Sequence, residues 1–148
     1  MPAQITLDWK KDSTFETQLN GHTVSIDTSK EDGGTDSGVR PKALMLVAMA
    51  GCSGVDVISL FKKMRVRFEK LSIDVKAETS DTIPMLYTAF DVTYHVTGNT
   101  DDSPRIEKAI RLSQEKYCGV ALMMKKIGPI TYRILLNGTE LNIQSVDK

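Results

Sequence analysis

The chain has 148 residues, 41% hydrophobic and 26% charged, which fits one ordinary globular domain and excludes a wholly disordered chain. Lys plus Arg and Asp plus Glu number 19 each, so the formal net charge is zero and no general nucleic-acid footprint is expected. Without a repeat, a Pro-rich tract or a linker, residues 1–148 read as one domain.

The N-terminal segment MPAQITLDWKKD has no apolar stretch of the kind a secretory signal needs. With only two cysteines, the expected location is a reducing cytoplasm, where a disulfide is transient and catalytic rather than structural. Ile5, Leu7 and Trp9 alternate with polar residues at strand period, and so do Phe15, Thr17 and Leu19. Asn20-Gly21 then separates them from Val24 and Ile26. Such a pair between alternating runs signals a hairpin, because both turn residues need positive φ. The first third is therefore predicted to be a three-stranded antiparallel meander. Residues 29–40 (SKEDGGTDSGVR) are polar and glycine-rich, a long loop that is either functional or disordered. Gly33, Gly34 and Gly38 match no Walker or dinucleotide fingerprint, so nucleotide binding is not expected.

Pro41 suits the first turn of a helix, where a missing N–H costs nothing. From Ala43 to Cys52 every residue is apolar or glycine, which predicts a helix buried on all sides. The run is too short for a membrane span, and Asp56 interrupts its continuation. One small domain has too few layers to encase such a helix, so a homodimer whose partner covers part of it is expected. Lys62, Lys63, Arg65 and Arg67 suit the helix C-terminus and are expected to be solvated. Two more strands follow, over Leu71–Ala77 and Phe90–Val96, with SDTIP in the turn between them. Ser103 is expected as N-cap and Pro104 as first residue of the helix SPRIEKAIRLSQEKY. A short helix should follow Cys118, and a hairpin turning at Asn137-Gly138 closes the chain. Segregated hairpins and helices indicate an α+β fold.

Cys52 and Cys118 are the residues with the most chemistry to offer. Free cysteine commonly packs as a small hydrophobe, and either residue could be plain core. Both, however, lie beside glycines, in Gly51-Cys52-Ser53-Gly54 and Cys118-Gly119, and a helical glycine needs a packing or access reason. Cys118 is placed at a helix N-terminus, where a thiolate is favoured. Two thiols make a two-cysteine redox cycle possible. Asp56 lies four residues after Cys52 on the same helix face and disfavours its thiolate unless a cation offsets it. Arg40, Lys42 and Lys30, ahead of the helix, are the candidate cations. His22 and His95 lack metal-ligand spacing and read as strand-surface imidazoles, so no metal is expected. Met45, Met49, Met123 and Met124 read as core.

The segment RPKALMLVAMAGCSGVDVISLFKKMRV resembles the central helix of the OsmC/Ohr family, particularly its YhfA-like branch. LSQEKYCGVALMMKK resembles the second cysteine segment of that branch, and the similarity covers nearly the whole chain. The resemblance implies an intertwined homodimer with antiparallel sheets around long central helices. It also implies a thiol peroxidase that reduces organic hydroperoxides and, less efficiently, hydrogen peroxide. Cys52 then matches the peroxidatic cysteine and Cys118 the resolving one, with an external dithiol as reductant and no cofactor, nucleic acid or membrane as partner. The family also uses an arginine from the loop before the helix, for which this chain offers Arg40, and a glutamate ten residues before the first cysteine. Lys42 stands at that acidic position, which keeps open a non-catalytic redox sensor or a small-ligand binding dimer.

Overall fold

A computed structural model describes the backbone of residues 2–146 and the side chains of residues 2–141. The chain divides into two compact units, residues 1–45 and 46–148.

In the first unit, β1 (Asp8–Lys11), β2 (Thr14–Leu19) and β3 (His22–Ile26) form an antiparallel sheet in the order β1-β2-β3. This is the expected meander, with β1 starting after Ile5 and Leu7. The β2–β3 turn has φ of 52° at Asn20 and 81° at Gly21, the left-handed pair that Asn-Gly supplies at least cost. The glycine-rich loop after β3 is ordered around one carboxylate. Buried Asp27 accepts hydrogen bonds from the backbone N–H groups of Thr28, Thr35 and Ser37 and from the hydroxyls of Ser13, Thr35 and Ser37. These donors hold its carboxyl far below the usual carboxylate range, with the Ser13 hydroxyl contributing most.

Helix α1 (Pro41–Lys63) runs across the boundary between the units. It is long enough, and apolar enough over an 18-residue stretch, to span a membrane, as the core helix of a soluble protein can also be. Its buried residues, Met49, Ser53, Val57 and Phe61, recur every four positions and form one stripe. The opposite face, with Val47 and Val55, is exposed in the single chain. The expectation of burial on all sides is therefore met on one face only.

In the second unit, β4 (Phe68–Thr79), β5 (Tyr87–Gly98), β6 (Ile130–Leu136) and β7 (Thr139–Val146) form a sheet in that order. The β4–β5 and β6–β7 pairs are antiparallel as expected, but β5 and β6 are parallel. The chain returns between them through α2 (Ser103–Leu112), a π-helical turn (Ser113–Tyr117) and α3 (Gly119–Met124), and such a crossover is what parallel pairing requires. Register aligns Ile73, Tyr94 and Ile134 across three strands, and likewise Val75, Val92 and Tyr132, so one sheet face is a continuous apolar ladder. Met49, Val57 and Phe61 of α1, Ile106 and Ile110 of α2, and Ala121 and Met124 of α3 belong to the same core cluster. Gly54 brings α1 close to β4, since a Cβ there would meet Ile73 Cδ1 at 3.2 Å. Met49 and Met124 are core as expected, whereas Met45 and Met123 are exposed. Ile143 of the closing hairpin lies on β7, and its side chain is outside the described residues.

Asp102, not Ser103, precedes α2 as its cap residue, and its side chain makes no capping bond. The buried Asp102 carboxylate is committed to Arg67, which reaches it through its backbone N–H and guanidinium, and to Arg105. Arg67 lies past the end of α1 and ties the start of β4 to α2 while staying 60% exposed, and Lys62, Lys63 and Arg65 are exposed as expected.

Candidate active site

α1 presents Cys52 and Asp56 one turn apart on the same flank, both half-buried, beside the buried stripe. Cys118 comes from the other side of the sequence. The π turn before it closes with a Cys118 N–H to Ser113 carbonyl bond of 2.8 Å. Such wide turns are rare and are enriched at functional sites. Cys118 then takes extended backbone angles, φ −76° and ψ 100°, and its Sγ accepts the Ala121 N–H at 3.3 Å.

These elements bring the two sulfurs and an Asp56 carboxylate oxygen within 4.8 Å of one another. Cys118 is fully buried and Cys52 is half-buried. The expected lowering of the Cys118 pKa at a helix N-terminus is reversed. Burial pushes the thiol up to about 12, outweighing the Ala121 N–H, and the nearby Cys52 and Asp56 push in the same direction. Asp56 Oδ2 is itself buried and has no hydrogen-bond partner.

A buried polar network ties the two cysteine segments together. Ser53, next to Cys52, pairs its hydroxyl with Ser113 at 2.9 Å and with the Tyr94 hydroxyl at 2.5 Å. Gln114 Nε2 donates to the same Tyr94 oxygen. Burial pushes the Tyr94 phenol up to about 12, so it is neutral and able to donate at ordinary pH. Sequence reading singled out none of these four residues. The available signals were a serine on an otherwise apolar helix stripe and a tyrosine in the inward-facing row of β5. Outside this network, Asp56 also lines a cleft of about 280 Å³ with Ser59, Leu60, Lys63 and Tyr117.

Of the sequence-predicted residues, the structure therefore brings Cys52, Asp56 and Cys118 together. Arg40, in the first unit, donates to Asp36 at 2.7 Å and to the Gly38 carbonyl at 3.0 Å. Lys42 is exposed in the first turn of α1, and Lys30 is exposed in the loop. Gly51 and Gly119, beside the cysteines, face open space, so neither has the packing reason found for Gly54. His22 is exposed at the start of β3, and His95 is half-buried on β5 with its Nε2 2.8 Å from Asp74.

Comparison with known proteins agrees with this architecture. Protein YhfA of Escherichia coli K12 is 31% identical over 130 residues, covering 87% of this chain and 94% of YhfA. The crystal structure of an OsmC-like protein from Mycoplasma pneumoniae superposes with a TM-score of 0.77 at 15% identity, covering 92% of this chain and 97% of that one. An organic hydroperoxide resistance protein, OsmC, from Legionella pneumophila superposes at 0.66 and 12% identity, covering 90% and 96%. Residues 34–133 match the family model described as OsmC-like protein, and the chain belongs to the OsmC-like family.

Proposed function

We propose that the protein is a thiol-dependent peroxidase that reduces organic hydroperoxides, and hydrogen peroxide, acting in the cytoplasm as a homodimer with one OsmC-like domain per chain. The observation that carries this reading is the pair of thiols with unequal access, both sulfurs lying within 4.8 Å in one cluster. Family membership supports it, since the family's structural neighbours include a protein named for organic hydroperoxide resistance.

Half-buried Cys52 is the attacking group. Its thiolate attacks one peroxide oxygen, the O–O bond breaks, and the second oxygen leaves as an alkoxide that takes a proton to become the alcohol. Cys52 is left as a sulfenic acid. Cys118, held as a thiol by its raised pKa, does not compete for peroxide. It condenses with the sulfenic acid: the S–S bond forms, the S–O bond breaks, and the hydroxyl leaves with the Cys118 proton as water. An external dithiol reduces the disulfide and resets the pair.

Stopped-flow consumption of cumene hydroperoxide with a dithiol present tests the cycle. Cys52→Ser should abolish consumption. With the dithiol omitted, Cys118→Ser should consume one equivalent of hydroperoxide and leave a sulfenic acid that dimedone traps. Activity that survives Cys52→Ser would sink the proposal.

Two observations favour a second reading, a non-catalytic redox sensor or small-ligand binding dimer. An Asp56 carboxylate oxygen lies within 4.8 Å of both sulfurs, and Lys42 stands where the resemblance to the OsmC/Ohr family implies an acidic residue. A Cys52 pKa at or above the free-thiol value of about 8.5 would favour this reading over the first.

A further inference from the structure

We infer that Cys52, Asp56 and Cys118 form a binding site for a thiophilic divalent cation such as Zn²⁺, the two sulfurs and one carboxylate oxygen being its protein ligands and water from the adjoining cleft the fourth. The donor atoms already lie within 4.8 Å of one another. Bond lengths of about 2.3 Å to sulfur and about 2.0–2.2 Å to oxygen put tetrahedral donors roughly 3.5–3.8 Å apart. Closure therefore requires at most about 1.3 Å of approach, which side-chain rotation can supply.

Three further features suit a cation. Asp56 Oδ2 is buried with no hydrogen-bond partner, a costly state for a carboxylate that coordination would relieve. Cys118 Sγ accepts the Ala121 N–H, a bond that strengthens when the sulfur is a metal-bound thiolate and that orients it toward the cluster. Asp56 also lines the cleft with Ser59, Lys63 and Tyr117, so water in the cleft approaches the Asp56 side of the cluster. A set of two thiolates and one carboxylate is soft enough to prefer Zn²⁺ over Mg²⁺ or Ca²⁺, and three protein ligands leave one position open. The ligands are far apart in the chain and show none of the short spacings by which zinc sites are read from sequence.

Metal binding displaces both thiol protons. It also excludes the disulfide, because the same sulfurs are used. Oxidation by a hydroperoxide would take two electrons from the two thiolates, form the S–S bond, break the O–O bond, consume two protons to give alcohol and water, and release the cation.

The test uses the reduced, metal-free full chain with no peroxide present, so its outcome is independent of the peroxidase reading. Anaerobic titration with Co²⁺ should give a thiolate-to-cobalt charge-transfer band and visible tetrahedral bands, saturating at one ion per chain and erased by one equivalent of Zn²⁺. The disulfide form should give no band. Asp56→Asn should weaken Co²⁺ binding at least about tenfold, in the range seen when a metal's supporting groups are removed. Zn²⁺ should raise the thermal midpoint of the reduced wild-type chain and leave the oxidised chain unchanged, a readout that needs no variant. No charge-transfer band in the wild-type protein, or equal Co²⁺ binding before and after oxidation, would overturn the site. Unchanged affinity in a folded Asp56→Asn variant would remove Asp56 from it.

Discussion

Ser53 is the polar member of the buried stripe on α1, and its hydroxyl joins the helix turn carrying Cys52 to the segment carrying Cys118. Tyr94 holds the other side of this junction. Its hydroxyl pairs with Ser53 and takes a hydrogen bond from Gln114, whose Oε1 is already buried without a partner. Removing the Tyr94 hydroxyl leaves the Gln114 amide donor without its phenol acceptor in a buried place. Tyr94→Phe is therefore expected to lose about 1–3 kcal/mol of stability, read from the urea midpoint at constant slope. A loss below about 0.5 kcal/mol would mean that neither partner depends on that oxygen. Cys118 shows what the sequence conceals at this scale. Its position at the start of a short helix was readable, and that alone predicts an easily ionised thiol. Its complete burial comes from its place in the main core cluster, and burial reverses the expected direction.

At the level of elements, the two hairpin turns were legible because Asn-Gly is a local signal with a steric cause. The observed φ values at Asn20-Gly21 and Asn137-Gly138 match it. Pro41 gave the start of α1 for an equally local reason. The parallel β5–β6 pairing was not legible, since alternation along a strand reports its buried face and not the direction of its neighbour. Nor was the role of Asp102, because its partner Arg67 lies in a distant segment and Ser103 offered a plausible local cap. Asp102 links α2 to β4 in the second unit, as Asp27 organises the loop of the first. Arg67 contributes most to holding the Asp102 carboxyl below the usual range. For both groups the folded pKa is depressed, so their stabilisation is fully present above the unfolded value of about 3.9 and is lost as pH falls below it. The thermal midpoint should be flat with respect to these groups above about pH 5 and decline below about pH 4. Asp102→Asn should lower the midpoint at neutral pH and flatten part of the acid decline. An unchanged acid slope would mean that Asp102 does not set it.

At the scale of the whole molecule, the apolar run in α1 is satisfied only in part by one chain. The stripe from Met49 to Phe61 is in the core, yet Val47 is 63% and Val55 is 73% exposed. An apolar groove of about 510 Å³ runs beside them, lined by Gly51, Gly54, Ile58, Leu71 and Ile73 among others. A contiguous apolar surface of this kind calls for a cover, and the proposed homodimer supplies it from a second copy. Sedimentation velocity should then show the wild-type chain as a dimer. Val55→Asp, which sets a charge in the middle of the exposed face, should shift it to a monomer with a lower thermal midpoint. Cys52, Asp56 and Cys118 all come from one chain, so the monomeric variant should still form the Cys52–Cys118 disulfide with one equivalent of hydroperoxide. A folded monomer that no longer makes this bond would show that the second copy contributes to the reactivity of the thiols. A wild-type chain that sediments as a monomer would remove the dimer and leave the apolar face of α1 to be explained by a different partner.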